Sequence, residues 1–154
     1  MIRHLFFGAL AALSLAFAPA RAADNNPPVP ETITFVVSSG FWEEASEEDS
    51  GATRHGYYKL IAERQPDGTA HIHLQQIEAT AEGPKIATST VLEEFSALRP
   101  YVTDIRPENS TGITTQPGLF ATVYLKTDPA ATDPESWTVL IDDLGDIKVE
   151  RATN

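Results

Sequence analysis

Two histidines in the segment AHIHLQQIEA, residues 70–79, have the clearest potential for chemistry. The segment alternates like a β-strand, so His71 and His73 should point to the same face with Cα atoms about 6.5 Å apart. Two imidazoles at this spacing can bind one metal ion. A carboxylate could come from Glu78 in the same segment or from Glu63 on a neighbouring strand. The pattern predicts a candidate site for one divalent transition metal.

The string from His71 to Glu78 resembles the metal-binding segment of the cupin family, in which an H-x-H pair and a following glutamate are three of the ligands. This sequence departs from the family pattern in its surroundings. Gln65 stands where the family has a glycine six residues before the first histidine, and Gly83 follows Glu78 too closely. No histidine after His73 could serve as the fourth ligand.

The direction of Glu78 decides between two interpretations of this segment. In a regular strand Glu78 faces away from the histidines, and a bulge at Gln75-Gln76 would be needed to turn it round. The alternative interpretation is an exposed polar face without a metal. On that face Glu63 and His71 would form a cross-strand pair contributing about 0.2–1 kcal/mol.

A β-hairpin is predicted to hold these side chains. The segment GYYKLIAERQPDGTAHIHLQQI contains two alternating runs joined by Gln65-Pro66-Asp67-Gly68, a sequence typical of a type I turn followed by a left-handed glycine. If Gln65 pairs with Thr69, the histidines lie on the face opposite the core. The predicted core face then carries Tyr58, Leu60, Ala62, Ile72 and Leu74.

The rest of the chain predicts an α+β domain, mainly an antiparallel sheet of about seven or eight strands. Alternating runs of β-branched and aromatic residues, separated by turn residues, indicate the strands. The one convincing helix lies near 90–98, where Thr90 and Glu93 have the spacing of a capping box and Phe95 lies on an apolar face. The alternative architecture is an all-β sandwich or barrel.

An acidic run suggests a surface for a partner. Trp42 precedes five carboxylates, Glu43, Glu44, Glu47, Glu48 and Asp49. The run lacks the ligand spacing of a calcium loop, so its simplest interpretation is a solvated loop. If it binds a partner, Trp42 could be an anchor and the carboxylates would favour a cationic protein or peptide. Three further aspartates, at 142, 143 and 146, are typical of a hairpin turn.

The N-terminus has the pattern of a secretory signal peptide, predicted over residues 1–22. A basic start precedes an apolar run that is shorter than the roughly 20 residues of a membrane-spanning helix, and Ala20-Arg21-Ala22 suits signal peptidase. Residues 23–31 are predicted to be a proline-rich tether, and residues 32–154 a single globular domain. With no cysteine for lipid attachment and no second long apolar run, we expect a periplasmic or secreted protein without stable membrane insertion.

Charge and composition exclude several classes of function. The net charge of −11 would repel nucleic acid, and the absence of cysteine excludes disulfides and thiol nucleophiles. The sequence contains no G-x-S-x-G motif and no phosphate-binding glycine loop. The sequence therefore predicts a non-catalytic binding or accessory protein, for which we expect no cofactor. The alternative is a metal-binding protein or metal-dependent enzyme.

Overall fold

A computed structural model describes residues 29–46, 51–108 and 116–153. The predicted signal peptide, residues 23–28 of the tether, and Glu47, Glu48 and Asp49 lie outside these ranges. Among the described residues, no helix has the length and apolar character needed to cross a membrane. The elements are β1 (Ile33–Ala45), β2 (Thr53–Arg64), β3 (Ala70–Thr80), β4 (Gly83–Val91), α1 (Glu93–Leu98), β5 (Tyr101–Pro107), β6 (Leu119–Lys126), β7 (Glu135–Ile141) and β8 (Ile147–Arg151).

The strands form two four-stranded antiparallel sheets. The first sheet has the order β1-β2-β3-β4 and the second sheet the order β5-β6-β7-β8. Each sheet is a meander, because consecutive strands are neighbours. The prediction of a mainly antiparallel β domain is confirmed. The described strands form two separate ladders of four strands and do not close into a barrel.

The predicted hairpin between β2 and β3 is confirmed. The amide of Gln65 donates to the carbonyl of Thr69 at 2.8 Å, and Gly68 takes the left-handed conformation with φ 85°. The strands then pair without interruption from Arg64 opposite Ala70 to Gly56 opposite Glu78. The local turn therefore fixes which side chains of both strands face the core.

One hydrophobic core joins the two sheets and the helix. Phe95 of α1 is fully buried, and its ring lies edge-on to Trp137 of β7 with ring centroids 6.2 Å apart. The first sheet contributes Tyr58, Leu60, Ala62, Ala70, Ile72 and Leu74, and the second sheet contributes Leu119, Ala121, Val123, Leu125, Val139 and Ile141. Because alternate residues of β2, β3 and β6 are buried in this core, the two sheets pack face to face.

The helix is shorter than the sequence predicts. It begins after Leu92, which makes no side-chain cap, and Thr90 belongs to β4. The capping box is therefore wrong. The reason is that β4 continues its pairing with β3, and the amide of Leu92 donates to the carbonyl of Ile72 at 2.8 Å. Pairing with the sheet takes precedence over the local capping sequence.

A backbone bridge near the end of β1 joins the two sheets, and it depends on glycine. Phe41 and Gly118 form an isolated antiparallel bridge, with amide to carbonyl distances of 3.2 Å and 2.8 Å. Gly40 next to it has φ 68°, and a Cβ there would lie 2.2 Å from the carbonyl oxygen of Gly118. The bridge thus needs glycine at position 40, and it holds the end of β1 against the second sheet.

Candidate functional site

An acidic cleft lies between the two sheets, where β1 ends and the turn between β7 and β8 begins. We call it the Tyr58 cleft. Its main cavity has a volume of about 210 Å³. A smaller cavity of about 40 Å³ shares lining residues with it. Both cavities are lined by Glu44, Tyr58, Leu144 and Gly145; the larger adds Leu74, Gln76, Thr88, Thr90, Ile141 and Ile147, and the smaller adds Trp42, Glu43, Pro117, Asp142 and Asp143.

Strand register brings the polar residues of the first sheet to this cleft. Tyr58 on β2 lies opposite Gln76 on β3, which lies opposite Thr88 on β4. Tyr58 belongs to the alternating set that forms the core, so its side chain also faces the second sheet. Glu44 on β1 lies opposite Arg54 on β2. The core face of the sheet therefore becomes polar at this end.

Tyr58 is the central residue of the cleft. Its side chain is buried, with 6% of the residue exposed, yet among the described residues its phenol makes no hydrogen bond. Burial raises the pKa of this phenol, and the negative charges of Glu44 and Asp142 raise it further. Glu44 belongs to β1 of the first sheet, and Asp142 lies in the turn between β7 and β8 of the second sheet. The charges of Glu44 and Asp142 thus act on one hydroxyl that has no hydrogen-bond partner among the described residues and that opens into the cleft.

Arg54 organises the first-sheet side of the cleft. Its guanidinium donates to both carboxylate oxygens of Glu78, at 3.1 Å and 2.9 Å, and lies 4.0 Å from a carboxylate oxygen of Glu44. It also stacks over Trp42 at 5.6 Å from the ring centroid. The hydrogen bond from Arg54 lowers the pKa of Glu78. Glu78 is therefore occupied by an internal partner.

Hydrogen bonds also orient the two carboxylates whose charges act on Tyr58, those of Glu44 and Asp142. The amide nitrogen of Gln76 donates to Glu44 at 3.2 Å, and its amide oxygen accepts from the hydroxyl of Thr88 at 3.4 Å. Asp142 accepts the backbone amides of Leu144 and Asp146 on its Oδ1 atom, which confirms its predicted role in the turn. Within the described part of the chain, its Oδ2 atom accepts no hydrogen bond and is available to a ligand.

The histidines lie on the opposite face of the first sheet, away from the cleft. Glu63 lies opposite His71, as predicted, but its carboxylate contacts His73 instead, with 3.1 Å between Oε2 and Nε2. The two imidazole centroids are 6.5 Å apart with an interplanar angle of 63°. Glu63 therefore pairs with its diagonal neighbour His73 and not with His71, which lies directly opposite.

Glu78 does not join the histidines. The pairing of β2 with β3 has no bulge at Gln75-Gln76, and Glu78 stays on the face of its partner Arg54. The irregularity lies on β4, where Ala87 has no partner in the ladder. In the described residues no group of three histidines or carboxylates is placed to hold a metal. The structure thus separates Glu78 from His71, His73 and Glu63.

The predicted partner surface is only partly in place. Trp42 is buried, with 3% exposed, and belongs to the core, so little of its surface is accessible to a partner and its role as an anchor stays a prediction. The indole bonds to the backbone of β3, which draws the ring inward. Glu43 and Glu44 are exposed at the end of β1, which extends into the segment predicted to be a loop. The remaining carboxylates of the run lie outside the described residues.

Comparison with known proteins gives this chain no family. No family model matches the sequence, and no significant similarity links it to a curated protein or to a solved structure. Any functional conclusion therefore depends on the chemistry of the site.

Sequence reasoning did not select Tyr58 or Asp142 as a pair. The alternation of β2 placed Tyr58 with the core, and the turn sequence accounted for Asp142. Their proximity depends on how the second sheet packs on the first, for which no local sequence signal exists. The resulting cleft offers hydrogen-bond acceptors beside apolar walls such as Leu74 and Ile141. This combination suits the binding of a cationic group.

Proposed function

We propose that this protein is a non-catalytic binding or accessory protein that binds a cationic segment of a protein or peptide at the Tyr58 cleft. The observation that supports it best is the environment of Tyr58. The side chain is largely buried, its hydroxyl has no hydrogen-bond partner among the described residues, and the charges of Glu44 and Asp142 both raise its pKa. A lysine or arginine side chain would satisfy all three groups at once.

The physical basis is charge-assisted hydrogen bonding in a partly enclosed site. An ammonium or guanidinium donor would meet the phenol oxygen of Tyr58, the exposed carboxylate of Glu44 and the Oδ2 atom of Asp142. Hydrogen bonds to charged groups contribute roughly 1.5–3 kcal/mol each when they are well formed. The aliphatic stem of the ligand would pack on Leu74 and Ile141. The net charge of −11 would also speed the approach of a cationic partner.

Cellular location and domain organisation are part of the same proposal. The signal-peptide pattern of residues 1–22 supports a periplasmic or secreted protein, and a chain without cysteine is compatible with an oxidising compartment. We assign residues 32–154 to one domain because the described strands share a single core. We class this domain as α+β on account of α1, although this helix is short.

The proposal is tested with hexalysine and isothermal titration calorimetry at moderate salt. We expect the double variant Glu44→Gln/Asp142→Asn to bind hexalysine at least about tenfold more weakly than the wild type, a difference of about 1.4 kcal/mol. The matched control is Glu94→Gln/Asp133→Asn, which removes the same charge from two exposed positions outside the cleft. An equal loss in both double variants would reduce the effect to net charge and overturn the proposal.

A further inference from the structure

The first sheet ends at β4 with a free edge. This strand pairs with β3 on one side only, and most of its residues are exposed. No charged residue occurs from Ile86 to Val91. The free edge of the second sheet, β8, is shorter and carries Lys148, Glu150 and Arg151. Charges of this kind discourage strand addition. The other two edges, β1 and β5, contact each other, and β1 is also bridged to Gly118. The stretch from Ile86 to Val91 on β4 is therefore the edge most open to strand addition.

The outward groups of β4 can be assigned from the ladder. The amide of Leu92 donates to the carbonyl of Ile72 on β3. Because backbone direction alternates along an antiparallel strand, Thr90 and Thr88 also direct their backbone groups toward β3. Ser89 and Val91 then direct their amide and carbonyl groups away from the sheet. The carbonyl of Val91 accepts a hydrogen bond of 3.4 Å from the hydroxyl of Thr90. The other outward groups make no hydrogen bond within the described residues and can pair with another extended segment.

This edge adjoins the Tyr58 cleft. Thr88 and Thr90 line the cavity together with Tyr58. A residue of an added strand opposite Thr88 would extend the row formed by Tyr58, Gln76 and Thr88. Strands are about 4.8 Å apart, so this residue would lie about 10 Å from Gln76, whose side chain bonds to Glu44. A long cationic side chain has the length to cross that gap.

We propose that the partner is an extended cationic segment that adds to β4 as a further strand of the first sheet and directs a lysine or arginine into the Tyr58 cleft. This inference rests on the proposed function for the charge of the partner. Backbone pairing along β4 would supply affinity, and the inward side chain would supply specificity. A second copy fits less well, because two chains of net charge −11 repel each other.

The decisive variant is Ser89→Pro, with Ser89→Ala as its control. Proline removes the outward amide of position 89 without removing a hydrogen bond to β3, and proline is tolerated at such edge positions. Both variants lose the hydroxyl that accepts from Gln75 at 3.4 Å. They differ in the outward amide and in the proline ring, which fixes φ at position 89 and restricts the residue before it. Circular dichroism establishes that each variant is folded.

The probes are three labelled octapeptides, used in fluorescence anisotropy. The first alternates lysine and valine, the second has the same composition in two blocks, and the third alternates serine and valine. We expect the alternating lysine peptide to bind best, to lose at least about tenfold in affinity with Ser89→Pro, and to change less than about twofold with Ser89→Ala. Equal binding of the alternating and block peptides would overturn strand addition.

A second measurement uses the wild-type protein alone, so it does not depend on how Ser89→Pro folds. The alternating lysine peptide is N-methylated on its lysines in one version and on its valines in another. Only one set of amides can face β4, so we expect affinities that differ at least about tenfold. Equal affinities would contradict pairing with the edge.

The outcomes separate this inference from the proposed function. Loss of binding in Glu44→Gln/Asp142→Asn but not in Ser89→Pro would leave the cationic site standing and overturn strand addition. Loss in Ser89→Pro together with tight binding of the serine peptide would overturn the cationic site. A dimer in light scattering that Ser89→Pro dissociates would show that β4 receives a second copy, which also overturns the inference.

Discussion

The indole nitrogen of Trp42 donates a hydrogen bond of 3.1 Å to the backbone carbonyl of Ile77 across the backbone of Gly56. Trp42 is on β1, Gly56 on β2 and Ile77 on β3, so the indole spans the middle strand. A Cβ on Gly56 would lie 1.8 Å from the Ile77 oxygen and 2.9 Å from the indole nitrogen. Glycine at position 56 is therefore required for the contact. The contact fixes the end of β1, from which Glu44 enters the cleft.

The first prediction is that Gly56→Ala destabilises the fold by more than about 3 kcal/mol, because backbone must move to admit the methyl group. Urea unfolding measures the change. The control is Gly68→Ala. Gly68 also has a positive φ, of 85°, but the space around it is open, so the alanine should cost only about 1–2 kcal/mol for the left-handed backbone. Similar losses in the two variants would show that the packing of Trp42 over Gly56 is not tight.

The hairpin of β2 and β3 could be predicted from the sequence because its determinants are local. The turn residues around Gly68 set the loop, the loop sets the register, and the alternation of apolar residues sets the buried face. The helix near 90–98 was predicted, but its start and its cap could not be predicted in the same way. Whether Thr90 caps a helix or extends a strand depends on β3, which offers hydrogen bonds to this segment.

The candidate site was less predictable because its parts are distant in sequence. Tyr58 and Asp142 meet only through the packing of two sheets, and no pattern within either strand encodes that packing. On the face with the histidines, too, the sequence did not predict which side chains make contact. Register correctly placed Glu63 opposite His71, but side-chain conformation directs its carboxylate to His73. Sequence periodicity predicts faces of strands and not individual side-chain contacts.

The second prediction concerns the ionisation of Tyr58. Its pKa is raised, first by burial and then by the charges of Glu44 and Asp142. A phenol whose folded pKa exceeds its unfolded value stabilises the fold below the unfolded pKa of about 10, and this contribution is lost as pH rises through the folded pKa. The difference in phenolate absorbance between wild type and Tyr58→Phe isolates this residue.

We expect Glu44→Gln/Asp142→Asn to lower the pKa of Tyr58 measured in this way, because two negative charges near the phenolate are removed. The double variant Glu94→Gln/Asp133→Asn should leave the titration of Tyr58 where it is. A phenol that titrates alike in both double variants would show that burial alone raises its pKa.

The third prediction is that Glu78 stabilises the fold at neutral pH and that this contribution is lost in acid. Its pKa is lowered by the hydrogen bond from Arg54, so its contribution is present above the unfolded pKa of about 4.3 and is lost as pH falls through the folded pKa. The variant Glu78→Gln should therefore be less stable than the wild type at neutral pH. As the pH falls below about 4.3, the variant should lose less stability than the wild type does. Thermal unfolding at a series of pH values measures both effects.

Glu94→Gln is the matched control for Glu78, because Glu94 is an exposed helix residue outside this ion pair. It should follow the pH dependence of the wild type. If Glu78→Gln follows that curve as well, the bidentate contact with Arg54 does not persist in solution.

The fourth prediction concerns metal binding at His71 and His73. We expect the wild-type protein and the variant His71→Ala/His73→Ala to retain the same amount of zinc after incubation and dialysis, as measured by elemental analysis. The carboxylate of Glu63 already contacts His73, and Glu78 lies on the other face with Arg54. A metal at the pair would lack a third protein ligand unless Glu63 turned toward it. His55→Ala controls for non-specific binding to exposed imidazole. One zinc per chain, present in the wild type and in His55→Ala but lost in the double variant, would contradict the prediction and establish the metal-binding alternative.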